Sequence, residues 1–152
     1  MLKKIFTVIA MSMLCASLIA GSGKAIVPNW AAAGWDGKAT AINISNISSH
    51  DLEFTITVYR EDGSLHTEMT YTNFQSSDTQ IGAGKTRRIY ILNSDASPSY
   101  KYGYAVIEWN NVGSDDDVVG LVAYGYNYHI KNFSYGSRAG MYTLPINNGM
   151  PF

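Results

Sequence analysis

Cysteine is all but missing from this chain. Cys15 is the only one, and it sits in an apolar run near the start, so the remainder has no disulfide and no thiolate metal ligand and must be held by packing alone. Clustered positive charge is missing too. That argues against nucleic acid or an anionic membrane as partner, since both reward runs of Lys and Arg. No stretch has a convincing helix period, and there is no internal repeat, low-complexity tract or interdomain linker. Neither H-E-x-x-H nor H-x-x-E-H occurs, and no G-x-S-x-G elbow precedes a helix, so zinc and nucleophile chemistry have no motif to stand on. His50, His66 and His129 stand far apart, and only convergence in space could gather a catalytic set. The chain is read as non-catalytic, with no cofactor.

What is present begins with Lys3 and Lys4 before the uncharged run from Ile5 to Ala20. Spanning a bilayer takes roughly 20 apolar residues, so this pattern predicts a secretory signal peptide, cut after Ala25 with Ala20-Gly21-Ser22 as a second place. An uncut anchor, or a lipid on Cys15, is the alternative. A cut after Ala25 leaves 152 − 25 = 127 residues, which is one domain's worth. Removing Lys3, Lys4 and Lys24 leaves 8 basic against 12 acidic residues, a net charge near −4. The expected product is secreted or held at the cell surface, with no membrane contact after processing.

Leu52, Phe54, Ile56 and Val58 alternate with Glu53, Thr55, Thr57 and Tyr59, the period-two signature of a strand with one buried face. Glu61-Asp62-Gly63-Ser64 supplies a turn, and the Thr- and Tyr-rich segment to Phe74 is expected to return beside it as a hairpin. Further strands are expected over Lys38–Ser45, Lys85–Leu92, Tyr102–Trp109, Val118–Tyr128 and Arg138–Ile146. Ile26–Gly37, broken by Pro28 and glycine, reads as an arm or irregular strand. Seven short strands with regularly spaced turns predict a single antiparallel β-sandwich over residues 26–152, with a small β-barrel as the alternative.

Aromatic rings supply the functional candidates. Tyr100, Tyr102 and Tyr104 recur at period two, as do Tyr124, Tyr126 and Tyr128, each set interleaved with small residues. Exposed rings in a row offer flat apolar faces to sugar rings and hydroxyl rims to their oxygens. The alternative is that they cover the sheet or fill the core, and strand register decides between the two. Trp109 keeps phase with Ala105 and Ile107 and is assigned to the core. Trp30 and Trp35, in the arm, either cap the sandwich or reach a partner. Asp115, Asp116 and Asp117 could offer oxygen ligands to calcium, but their spacing is not that of an EF-hand, and a solvated acidic loop is the plainer reading. Arg87 and Arg88 point to opposite faces, and an ion pair with Glu53 or Glu108 is expected for the outward one.

Ala41-Ile42-Asn43-Ile44-Ser45-Asn46, Val58-Tyr59-Arg60-Glu61-Asp62-Gly63, Ile81-Gly82-Ala83-Gly84-Lys85-Thr86, Tyr104-Ala105-Val106-Ile107-Glu108 and Leu144-Pro145-Ile146-Asn147-Asn148-Gly149 follow one another in that order. The layout resembles small secreted bacterial β-sandwich proteins of undefined function and, more distantly, the sensory rhodopsin transducer family. The resemblance implies the fold and association through sheet surfaces, and it carries over no catalytic residue. The export signal departs from the transducer family, whose members act inside the cell. Two functions remain in view. One is a binding module for polysaccharide or another cell-surface component through Trp30, Trp35, Tyr124, Tyr126 and Tyr128. The other is self-assembly, with the arm or the tail after Pro145 added to a neighbour's open sheet edge.

Overall fold

A computed structural model describes residues 21–34, 37–95, 99–113, 117–131 and 138–152, with side chains between 130 and 140 left undescribed. The chain forms β1 (Ser22–Ala32), β2 (Lys38–Asn46), β3 (Leu52–Arg60), β4 (Met69–Thr72), β5 (Gln80–Ile81), β6 (Thr86–Ile91), β7 (Lys101–Asn111), β8 (Leu121–Lys131) and β9 (Arg138–Pro145). A short 3-10 turn at Asn147–Gly149 follows. Two antiparallel sheets result, one ordered β1-β7-β3-β5 and the other β4-β6-β2-β8-β9. They pack face to face as a β-sandwich. No helix among the described residues is long and apolar enough to cross a membrane.

Alternation builds each layer. In the four-stranded sheet Phe54, Ile56 and Val58 stand opposite Trp109, Ile107 and Ala105, and all six are buried. In the five-stranded sheet Ile42 stands between Ile89 and Gly125 and is fully buried. The two inner faces share one hydrophobic cluster, to which each buried Ile, Leu or Val side chain contributes about 1.5 to 3 kcal/mol. Trp109 lies in it as expected, its indole N–H donating to the Phe152 carbonyl at 2.7 Å.

Several expectations need correction. The turn after β3 forms, with Gly63 at φ 82° and its N–H donating to the Arg60 carbonyl, but the chain does not return as a hairpin. One bridge, Tyr59 to Leu65, closes the turn, and β4 then joins β6 in the opposite sheet. His66 explains the departure: it turns inward to lie 4.6 Å from the Trp30 ring, and its Nε2 meets the Leu92 carbonyl at 2.7 Å. Beyond it Met69, Tyr71 and Phe74 pack on the core from the far layer.

Of the two readings of Ile26–Gly37, arm or irregular strand, the second holds, and the strand begins earlier, at Ser22. Ser22 to Val27 pair with Asn110 to Ala105 along β7, and the register then slips by one across Pro28 and Asn29. That bulge lies on an edge strand, where a proline without a backbone donor is tolerated. It masks the period in the sequence and rotates Trp30 inward. The domain start expected after Ala25 falls inside this strand, where Ala25 is buried and opposes Ile107. The tail is held in the same way, because the Phe152 carbonyl accepts from the Gly120 and Leu121 N–H groups and its own N–H donates to Leu121. Both segments assigned to strand exchange are thus paired within their own chain.

Candidate functional site

The two tyrosine rows do not share a sheet. Tyr102 and Tyr104 belong to β7 and face outward from the four-stranded layer, 45% and 42% exposed, with Tyr104 stacked on Tyr59 at 4.9 Å. Tyr124, Tyr126 and Tyr128 belong to β8 and face outward from the five-stranded layer on the other side of the sandwich. The two rows lie on strands that do not pair, so no register between them places their rings on one face.

Register places a continuous patch on the second face. Arg88, Asn43, Tyr124 and Pro145 form one row across β6, β2, β8 and β9. Tyr90, Ala41, Tyr126 and Thr143 form the next, and Ala39, Tyr128 and Met141 the one after. Small residues on the central strand let the flanking rings lean over them. Ala39 and Ala41 are consequently buried although they point away from the core. Tyr90 meets Tyr128 edge-on at 6.3 Å, and Tyr126 lies 6.1 Å from Tyr128. Partial burial pushes the Tyr128 hydroxyl pKa up. Tyr124 remains 58% exposed and Met141 67%, so the patch carries both paved and open area.

Arg88 is fixed at one side of this face. Its Nε donates to Asn43 Oδ1 at 2.7 Å and its Nη1 to the Tyr90 hydroxyl at 3.1 Å. The Tyr90 bond is the main reason its pKa is raised. Glu53 and Glu108, the acids expected to pair with it, lie on the opposite sheet, and Glu108 binds Lys24 at 3.0 Å instead. Among the described residues Arg88 has no carboxylate partner. Asn43 is 3% exposed, and its Nδ2 has no hydrogen-bond partner. A depression of about 240 Å³ adjoins the pair, lined by Asn43, Thr72, Asn73, Thr86, Arg87, Arg88 and Tyr90.

The remaining candidates separate from this face. Trp30 is fully buried and donates its indole N–H to the Tyr59 carbonyl at 2.9 Å, so it is a core ring and not a ligand contact. Gly103 permits this, since a Cβ there would stand 1.9 Å from the same carbonyl oxygen. Trp35, Asp115 and Asp116 lie outside the described residues. Asp117 Oδ2 meets His50 Nδ1 at 2.9 Å, and Ser49 Oγ approaches the same ring nitrogen at 3.3 Å. Both neighbours share one nitrogen, so this trio does not form a relay through the ring. Among the described residues no group of three or more His, Cys, Asp or Glu is placed to hold a metal ion.

No protein-family model matches the chain, and neither does any curated protein. Among solved structures it is similar to the crystal structure of Thermotoga maritima 1070, with 15% identity and a TM-score of 0.46 over 83% of this chain and 95% of that one. It is also similar to the pilus backbone RrgB of Streptococcus pneumoniae, with 9% identity and a TM-score of 0.31 over 80% of this chain and 45% of that one. Neither likeness assigns a family, and none of these findings bears on the transducer resemblance.

Proposed function

We propose that this protein is an exported, non-catalytic binding module that holds a polysaccharide or other cell-surface component on the outer face of its five-stranded sheet. One observation carries the reading: β8 presents Tyr124, Tyr126 and Tyr128 on one face beside Tyr90 and Arg88, over a floor of alanine. Ring faces stack on the apolar faces of pyranoses, while phenol, amide and guanidinium groups serve the hydroxyls at the rim. Tyr90, Tyr126 and Tyr128 are held by strands and by each other, so little of their side-chain freedom is lost on binding. Self-assembly by strand exchange is less favoured, because the arm and tail that would be donated are already paired at home.

Retention on a panel of insoluble glycans and cell walls tests this reading. The wild type is expected to be held by at least one matrix and released by Tyr124→Ala combined with Tyr126→Ala. No retention on any matrix, or retention indifferent to both tyrosines, overturns it.

A further inference from the structure

The charge on this face narrows the ligand. Arg88 is anchored through two of its three nitrogens to neutral acceptors, the Asn43 carbonyl oxygen and the Tyr90 hydroxyl, which orient the guanidinium without neutralising it. Lys24 and Lys101, by contrast, are paired to carboxylates at 3.0 Å and 2.8 Å. The two bonds to Arg88 hold its charge in place with no counter-ion among the described residues, which leaves it open to an anion. Beside it the Asn43 Nδ2 donor, deeply buried, lacks an acceptor within the protein. Both unfilled groups border the same depression, in the same row as the open Tyr124 ring.

We infer that this face selects a carboxylate-bearing saccharide, a hexuronate unit whose carboxylate meets Arg88 while its ring lies toward Tyr124 and Tyr126. This inference rests on the binding reading above and adds its specificity. A planar guanidinium matches a carboxylate through two parallel hydrogen bonds, which a lysine ammonium does not reproduce. Because the chain carries more acid than base, the attraction is local, confined to Arg88 and the neighbouring Arg87 at the depression, and differs from the many-contact binding of a nucleic acid.

Affinity electrophoresis of the full chain separates the possibilities, using polygalacturonate, its fully methyl-esterified form, a neutral xylan and dextran sulfate as embedded probes. Strong retardation is expected by polygalacturonate, with roughly tenfold weaker retardation by the ester, which keeps the sugar rings but not the charge. Arg88→Gln should erase that difference, and Arg88→Lys should lose most of it although the charge is kept. Circular dichroism melts of both variants confirm that they are folded. Equal retardation by acid and ester, full rescue by lysine, or dextran sulfate matching polygalacturonate overturns the inference while leaving ring-dependent binding in place. Retardation by none of the four probes overturns the inference, and failure on the wider glycan panel overturns the binding reading as well.

Discussion

The sandwich has two outer faces, each bearing a tyrosine row of the same spacing, and they differ in what lies around the rings. On the four-stranded sheet Tyr104 stacks on Tyr59 and Lys24 is paired to Glu108, so the charge there is answered although Ile26, Tyr102 and Tyr104 stay open. On the five-stranded sheet the rings lie over Ala39 and Ala41, and a positive charge is held in place but left unanswered. An aromatic pattern alone therefore does not define a binding face. The size of the residues between the rings and the balance of nearby charge separate a finished surface from an unfinished one.

Substitutions sharpen this contrast, and the largest effect lies beneath both faces. Trp30→Ala should cost about 3 to 5 kcal/mol in guanidinium unfolding, because it empties a fully buried site and strands the Tyr59 carbonyl. A loss confined to binding would instead put that ring on the surface. Next comes the alanine floor. Ala41→Leu should cost about 1 to 3 kcal/mol in thermal or chemical melts, since the longer side chain must lift Tyr90 and Tyr126. Thr57→Leu on the opposite outer face should change stability by less than about 0.5 kcal/mol, and equal effects would abolish the distinction. Truncating Tyr124 and Tyr126 together should weaken glycan binding by about 1 to 2 kcal/mol, while truncating Tyr102 and Tyr104 leaves it unchanged.

A pH effect is expected from the interior. Burial holds the His66 pKa below its ordinary 6.5, so the unfolded chain takes up its proton first as the medium is acidified. Stability should therefore be constant above that value and fall as pH drops below 6.5 toward the folded pKa. His66→Gln should flatten that part of a Tm-against-pH curve. The smallest effect belongs to the exposed Lys24–Glu108 pair, where Glu108→Gln should shift unfolding by no more than about 0.5 kcal/mol.

Much of the architecture could be read from alternation. Ile42 and Ile44, Ile89 and Ile91, and Ala105, Ile107 and Trp109 each mark a buried face, and these strands form where expected. The fate of the segment after Gly63 could not be read, because turn chemistry is local and says nothing of whether the chain stays beside its partner strand. That choice is made by His66 and Trp30, 36 residues apart in sequence, meeting in the core. β1 could be read only as an arm or irregular strand, because its bulge breaks the period at Pro28. Half of the proposed binding face was accessible as well. With Ile42 and Ile89 inward, Asn43, Arg88 and Tyr90 must point out, but that β2 runs between β6 and β8 is set by long-range pairing alone.

The most direct test of the central claim is an amide chemical-shift map of the 15N-labelled chain titrated with trigalacturonate. The account predicts saturable shifts clustered at Asn43, Arg88, Tyr90, Tyr124 and Tyr126, with β3 and the outer residues of β7 undisturbed. Saturable shifts centred on Tyr59, Tyr102 and Tyr104, or no saturable shift at all, would contradict it.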